Sequence, residues 1–381
     1  EMAQFGNRGQ AMAYRYDEIR RTAAYTFDYG NTQSAWYRQW IEIPETARDS
    51  KIFIKFDAVA TATEVYINGY KAGSHLGMFT PFEVDLTDHV KYGQQNLIAV
   101  HVSGNAIPQA DDGDKIAGVA VSMEITNEML NSMPKGIYRS QATSDDFHSN
   151  KKLSRPNGIW QPVKLIFTPN IKLNDVFFKS RLDGANLEIT VHNMSAESFN
   201  GKLDISLAGE NVDKQISVPS GKKELFNINV HVDNPKLWSP ENPNLYKLSV
   251  RLLKNNHQLD TFSCNVGFRT FEVVGDKIYF NGKPRWIGGA NMPPHGLRPN
   301  DKILANKFFK LMHEGNQRII RAVCSPLTPT WADAADKQGV AVSIEGTWPW
   351  LGLYDQPLPD DILMDAWKNE MQDKKRKKRV A

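Results

Sequence analysis

The chain has little cysteine, with only Cys264 and Cys324 among its 381 residues. The two residues lie on opposite sides of a change in the character of the sequence, so we expect them in different domains, where a disulfide between them would need unsuitable geometry. They are predicted to be buried thiols. Cysteine usage therefore leaves the cellular compartment open.

Long apolar runs are also absent, since none approaches the roughly 18 residues that a membrane-spanning helix needs. The 46 Lys and Arg residues nearly balance the 43 Asp and Glu residues, and much of the +3 excess comes from the last nine residues, DKKRKKRVA. This balance argues against a nucleic-acid partner. No cluster of His, Cys, Asp and Glu has the spacing of a metal site, and neither a metal nor a cofactor is expected.

Aromatic residues, in contrast, make up 10% of the chain and include nine Trp. Such a composition suits carbohydrate recognition, but large all-β domains also use Trp and Tyr to fill their cores. Both interpretations remain open on composition alone. The length allows two or three domains, and we expect three.

Short alternating runs of apolar and polar residues fill the first part of the chain, after a polar lead-in over residues 1–22. They are separated by turn residues that include Asn68-Gly69, and they fall at 35–43, 51–56, 64–67, 82–86 and 96–102. Short strands at this spacing predict a sandwich or a barrel. The alternation stops over residues 103–157, which form either a functional lid or a surface excursion.

Alternation resumes between residues 171 and 269 in six recognisable runs, and about seven strands in a hundred residues fit an immunoglobulin-like sandwich. The character of the chain changes at Tyr279. Asn281-Gly282 predicts a two-residue hairpin. A strand over 286–290 and alternating helices and strands at 301–314, 318–323, 330–337 and 340–344 then predict the start of a parallel βα array.

Three sequence blocks, in the same order, resemble glycoside hydrolase family 2, whose members include β-galactosidases, β-glucuronidases and β-mannosidases. The first comprises AWYRQWIEIP (35–44) and EVYINGYKAGSHLGMFTPFEVDLT (64–87), the second is LWSPENPNLYKLSV (237–250), and the third is GFRTFEVVGDKIYFNGKPRWIGGAN (267–291). The resemblance implies a multidomain, mainly β protein. Its expected domains are a sugar-binding jelly-roll sandwich at 1–169 with the insertion 103–157, an immunoglobulin-like sandwich at 170–274, and the first strands and helices of an incomplete (β/α)8 barrel at 275–381.

The resemblance further implies a hydrolase acting on terminal β-linked sugars in carbohydrate catabolism, with β-galactosidase-like activity as the first expectation. The alternatives are β-mannosidase or β-glucuronidase specificity, or a non-catalytic carbohydrate-binding scaffold. Retaining glycosidases use two carboxylic acids about 5 Å apart. In the family these two Glu residues follow the fourth and seventh barrel strands, whereas this sequence predicts three. No catalytic residue is therefore assigned in this chain, which is expected to be inactive alone.

Four residues match family positions near the sugar pocket and are predicted to bind substrate: Asn291, Arg321, Glu345 and Trp348. Arg321 and Glu345 are predicted at consecutive strand ends, on one rim of the barrel. A rim salt bridge is the alternative for Arg321, and core packing is the alternative for Trp348 and its neighbour Trp350. Pro293 stands where the family usually has His, which favours the β-mannosidase branch over galactosidase specificity. The expected partner is a carbohydrate substrate, with a homo-oligomer left open.

Overall fold

The computed structural model describes residues 34–60, 62–76, 80–103, 158–291, 299–322 and 327–344. The lead-in 1–22, nearly all of the insertion 103–157, and Cys324 lie outside these residues. Within them, the chain is mainly β and forms three successive regions.

The first region consists of nine strands and two short 3-10 helices, Glu45–Ala47 and Thr87–His89. The strands are β1 (Ser34–Ile43), β2 (Lys51–Phe56), β3 (Val59–Ala60), β4 (Ala62–Ile67), β5 (Tyr70–Leu76), β6 (Phe82–Asp85), β7 (Gln94–Ser103), β8 (Gly158–Ile159) and β9 (Val163–Thr168). They pair in the orders β1-β7-β4-β5, β6-β2-β9 and β3-β8.

Alternation of buried and exposed positions explains why the first region is a sandwich. Every second residue of β2 and β4 is buried, as expected when one face of each sheet points to a core. Ile52 and Phe56 from one sheet and Val65 and Val100 from the other join a single apolar cluster. The predicted Asn68-Gly69 turn is confirmed, since its residues have φ angles of 51° and 89°.

The second region is a seven-stranded, two-sheet sandwich. Its strands are β10 (Ile171–Arg181), β11 (Gly184–Asn193), β12 (Phe199–Leu207), β13 (Glu210–Val218), β14 (Lys223–His231), β15 (Tyr246–Lys254) and β16 (His257–Val266). The sheets have the orders β10-β11-β14 and β13-β12-β15-β16 and share one core. This is the arrangement of an immunoglobulin-like sandwich.

Two features of this sandwich differ from the sequence prediction. The alternation of apolar and polar residues did not predict β13. This strand lies at the sheet edge, most of its residues are exposed, and its sequence, ENVDKQISV, is mainly polar. Cys264, predicted to be a buried thiol, is only partly buried, because β16 is the other edge strand and covers even its core-facing side chains incompletely. It still packs against the core cluster.

The third region begins with an antiparallel sheet and continues as a parallel one. Strands β17 (Phe271–Val274), β18 (Lys277–Phe280) and β19 (Lys283–Pro284) form the first sheet. The second alternates strands with helices: β20 (Gly289–Asn291), α1 (Lys302–Glu314), β21 (Ile319–Ala322), α2 (Pro329–Gln338) and β22 (Ala341–Ile344). Its strands are parallel in the order β20-β21-β22, which confirms the predicted βα alternation. The strand predicted over 286–290 is shorter and begins at Gly289, and Trp286, expected in a buried strand, is exposed.

Local signals explain where these helices begin and end. The Asp301 side chain caps α1 by accepting a 2.8 Å hydrogen bond from the Leu304 backbone N–H. Helix α2 starts with Pro329 at its first turn and ends at Gly339, whose φ of 71° is the left-handed conformation typical of a helix terminus. Neither helix is long and apolar enough to cross a membrane, and the same holds for the rest of the described chain.

Side chains connect the three regions. The buried Lys172 ammonium lies 2.7 Å from Glu83 Oε2, which links the second region to the first. The fully buried Trp238 donates its indole N–H to the Asp336 carbonyl oxygen in α2, at 2.8 Å. Ala341 of β22 belongs to the same apolar cluster as Trp238, so the parallel sheet packs directly on the immunoglobulin-like sandwich.

Candidate functional site

An open cavity of about 400 Å³ lies against the parallel sheet and is lined by Gly289, Ala290, Ile319, Arg321 and Ser343. Helices α1 and α2 cover the other face, where Ile320, Ala322 and Val342 join a core with Phe309 and Trp331. Because successive side chains of a strand point to opposite faces, Ile319, Arg321 and Ser343 must face away from the helices. The cavity therefore occupies the sheet face opposite α1 and α2.

Glycine at position 289 allows the strands beside this cavity to approach closely. A Cβ atom there would lie 2.3 Å from Ile319 Cγ2 and 2.4 Å from the Ile319 carbonyl oxygen, closer than real Cβ atoms come. The neighbouring backbone is tied by a 2.9 Å hydrogen bond from Arg318 N–H to the Gly288 carbonyl. Any larger residue at 289 would push β20 away from β21 and change the cavity wall.

Arg321 and Ser343 occupy the same row of the parallel sheet. Arg321 pairs with Asn291 on one side and with Ser343 on the other. Adjacent strands lie about 4.8 Å apart, so the Arg321 and Ser343 side chains leave the sheet side by side near the carboxyl ends of the strands. Both residues are exposed. Together they offer hydrogen-bond donors and an acceptor to a polar ligand in the cavity.

Of the four predicted site residues, the structure describes Arg321 and the backbone of Asn291. Arg321 lines the cavity, and the backbone of Asn291 lies next to it in the strand ladder. Glu345, Trp348 and Trp350 lie outside the described residues, so the predicted pairing of Arg321 with Glu345 on one rim stays a prediction.

Ser343 is a cavity residue that the sequence analysis missed. A signal for it was present: Ser343 lies two positions before Glu345, and alternate residues of a strand share a face. Once Glu345 is expected at the pocket, the same alternation predicts Ser343 on its wall.

A second polar group missed from the sequence lies at the contact between α2 and the immunoglobulin-like sandwich. Burial raises the pKa of the Asp336 carboxyl to about 8, against the opposing effect of Arg269. Burial also lowers the pKa of Arg269. The Asp336 Oδ1 atom is inaccessible to solvent and accepts no hydrogen bond in the described structure. Because Asp336 belongs to a helix on the face opposite the cavity, we assign it to the domain contact rather than to ligand binding.

Among the residues that the structure describes, no group of three or more His, Cys, Asp and Glu side chains could hold a metal ion. The cavity wall itself offers one cationic side chain and one hydroxyl to a ligand. Such a wall can orient a polyhydroxylated molecule. It carries no carboxyl group among its described lining residues, so those residues supply no acid or nucleophile for glycoside cleavage.

Two family models match the chain. Residues 19–141 match the sugar binding domain of glycosyl hydrolases family 2, and residues 171–269 match the model described as glycosyl hydrolases family 2. Together they cover more than half of the chain. They coincide with most of the first sandwich and with the immunoglobulin-like sandwich.

Curated relatives include a β-galactosidase of Thermoanaerobacter pseudethanolicus and a β-glucuronidase of Formosa agariphila. The first is 29% identical over 87% of this chain and 42% of its own length. The second is 27% identical over 82% of this chain and 32% of its own length. The chain thus spans less than half of each of these two relatives.

Solved structures with the same fold include a β-glucuronidase of Bacteroides uniformis and a β-galacturonidase of Eisenbergiella tayi. The first has a TM-score of 0.67 at 22% identity, covering 90% of this chain and 39% of that one. The second has a TM-score of 0.67 at 18% identity, covering 96% of this chain and 58% of that one. At these identities the likeness concerns the fold alone.

Proposed function

Because the chain belongs to glycosyl hydrolases family 2, we propose that it forms part of an enzyme that hydrolyses terminal β-linked sugars with retention of configuration. The observation that carries this proposal is the open cavity beside Arg321 and Ser343, near the carboxyl ends of three parallel strands. Active sites of (β/α)8 barrels lie at this end of the strands.

The proposal divides the chain into a sugar-binding domain at 1–169, an immunoglobulin-like domain at 170–274 and the first βα units of a (β/α)8 barrel at 275–381. The parallel order β20-β21-β22, with both helices on one face, supports the barrel assignment. In a closed barrel the helix-covered face is the outside. The cavity face would then be the inside of the barrel, where a substrate enters from the carboxyl end.

In this proposal Asn291, Arg321, Ser343, Glu345 and Trp348 form one wall of the sugar pocket. Arg321 and Ser343 hold substrate hydroxyls or orient a catalytic group, and Trp348 stacks on a sugar ring. The acid/base and the nucleophile would come from later strands of the completed barrel, about 5 Å apart across the glycosidic bond. In this proposal the five residues bind and position the substrate, and the reacting carboxyl groups lie elsewhere.

Two substrate specificities are supported by particular observations. The names of the relatives favour a β-galactoside or a β-glucuronide to the same degree. A cationic Arg321 on the cavity wall would also suit the carboxylate of a glucuronide. β-Galactoside hydrolysis, the first expectation from the sequence, and β-glucuronide hydrolysis are therefore the two leading candidates. β-Mannoside hydrolysis and a non-catalytic carbohydrate-binding role are the remaining alternatives.

The test compares nitrophenyl β-galactoside, β-glucuronide and β-mannoside as substrates for two proteins, the chain alone and the chain joined to the remaining βα units. We expect turnover only for the joined protein, with a β-configured first product by NMR. Binding without turnover in the joined protein would favour the scaffold alternative. Turnover by the chain alone, abolished by Glu345→Gln, would show that a catalytic residue lies within it.

A further inference from the structure

A strip of exposed aromatic and charged side chains runs along β1, on the first sandwich and far in sequence from the cavity. Trp36 and Trp40 keep 51% and 61% of their surface exposed, although Trp is usually well covered in folded proteins. Arg38 lies between them, with its guanidinium carbon 6.0 Å from the centre of the Trp36 ring. We call Trp36, Arg38 and Trp40 the β1 strip.

The strand register explains why the β1 strip faces solvent. Its three residues pair with His101, Ala99 and Leu97 of β7. The intervening β7 residues Ile98, Val100 and Val102 are buried in the sandwich core. Since paired residues of antiparallel strands share a face, the β1 strip lies on the outer face of the sheet. Among the described strands, β1 lies at the edge of its sheet.

Neighbouring side chains hold the Trp36 indole in place. Its ring stacks on His101 with centroids 4.7 Å apart and lies 5.5 Å from the Tyr66 ring. Glu64 supports both neighbours, since its carboxylate is 3.4 Å from His101 Nδ1 and accepts a 3.3 Å hydrogen bond from the Tyr66 hydroxyl. Glu64 also binds Lys71. An exposed Trp fixed in this way loses little conformational freedom when a ligand binds.

Charge on this face is balanced. The cations Arg38 and Lys71 are matched by Glu64 and by Glu42, which follows Trp40 on the same side of β1. A balanced face gives no net field to attract an anionic polymer. It still offers donors and acceptors beside two indoles, the combination that suits sugar hydroxyls and the apolar C–H face of a pyranose ring.

We propose that the β1 strip is a second carbohydrate site, separate from the strand-end cavity, and that it binds a neutral glycan across Trp36 and Trp40. Four residues of a strand span about 13 Å, so the two indoles are too far apart to stack on one pyranose ring. The site therefore takes several consecutive units of a glycan chain and not a monosaccharide. This inference does not rest on the activity proposed for the barrel.

Affinity electrophoresis of the 381-residue chain tests the proposal without any need for turnover. The gels contain β-galactan, galactomannan or β-glucan as neutral probes, and polygalacturonate as an anionic probe. At least one neutral glycan should retard the unmodified chain, and Trp36→Ala and Trp40→Ala should each weaken that interaction about fivefold or more, as expected from the loss of one stacking contact. Free monosaccharide should compete poorly.

Trp286→Ala is the matched control, because Trp286 is 93% exposed and lies outside the first sandwich. Its mobility should stay that of the unmodified chain, and circular dichroism should show all three variants folded. The proposal is overturned if no neutral glycan retards the chain, if only polygalacturonate does, or if Trp286→Ala loses binding equally. The proposal is also overturned if the unmodified chain is a dimer and Trp40→Ala is a monomer, since the β1 strip would then be an interface between two copies.

Discussion

The immunoglobulin-like sandwich and the βα region differ in how they cover their sheets. In the sandwich, the two sheets bury each other, and core residues such as Leu187, Leu203 and Val250 have no exposed surface. In the βα region, two helices cover one sheet face, while the other borders the open cavity beside Arg321 and Ser343. The sandwich completes its own core and can support its neighbour, whereas the βα region presents polar side chains on the sheet face opposite its two helices.

The two regions are nevertheless joined. Trp238 of the sandwich donates to the Asp336 carbonyl, and Gly339 sits against the Pro240 carbonyl. These contacts fix where the parallel sheet stands on the sandwich. Substitutions in the βα core and at the contact should therefore separate the stability of the two regions.

Trp331→Ala should have the largest effect, because Trp331 is fully buried between α1 and the sheet and touches the rings of Phe308 and Phe309. We expect a loss of about 3–5 kcal/mol from the βα region. Hydrogen exchange should accelerate in α1 and α2 while β10 to β16 stay protected. Faster exchange throughout the sandwich would mean that the two regions unfold as one unit. Trp286→Ala, at an exposed position, should change stability little.

Gly339→Ala should loosen the contact between the regions. A Cβ atom at this position would lie 2.3 Å from the Pro240 carbonyl oxygen, and the φ of 71° is already unfavourable for Ala. We expect a cost of about 1–3 kcal/mol and faster proteolysis near Pro240. Gly275→Ala is the control: Gly275 also has a positive φ, of 61°, but open space around it. Equal effects of the two variants would show that backbone strain, not the contact, matters.

Asp336→Asn should alter the pH dependence of stability. The folded-state pKa of this carboxyl is about 8, because burial and Asp333 raise it more than Arg269 and Lys337 lower it. Between its ordinary pKa and pH 8 the unfolded chain binds fewer protons than the folded one, so the contribution of Asp336 to stability falls as pH rises through this window.

Because Asn cannot ionise, the stability of Asp336→Asn should fall less as the pH rises. Its melting temperature should exceed that of the unmodified chain most at pH 8 to 9. Asp333→Asn, an exposed position on the same helix, should leave most of the decline in place. If the melting temperatures of Asp336→Asn and of the unmodified chain differed by the same amount at every pH, this would contradict a raised pKa for Asp336.

The sequence predicts the fold where local patterns decide it. Asn281-Gly282 adopts the positive φ angles that its hairpin requires, and the bounds of α1 and α2 follow from apolar periodicity and caps. The pattern fails for β13, whose polar residues pack little. The contact of Trp238 with Asp336 could not be predicted either, because the two residues are 98 positions apart and no local sequence pattern connects them.

For the candidate site, too, some residues follow from local sequence patterns and others do not. The strand end at Arg321 follows from the βα pattern, but its interpretation as a substrate-binding residue came from the family resemblance. Ser343 follows from strand alternation only once Glu345 is expected at the pocket. The roles of Asn291, Glu345 and Trp348 depend on side chains outside the described set and stay predictions.

The most direct test of the strand-end site compares Arg321→Ala with Arg318→Ala in the protein with its barrel completed. Arg318 stands just before the same strand, but it donates to the His313 carbonyl at 2.8 Å and lies 3.7 Å from Glu241, at the contact with the sandwich. We expect Arg321→Ala to lower kcat/KM for the preferred β-glycoside about 10²-fold at an unchanged melting temperature. Arg318→Ala should lower the melting temperature with little change in kcat/KM. Loss of stability without selective loss of turnover in Arg321→Ala would contradict the account and make Arg321 part of a structural ion pair at the rim.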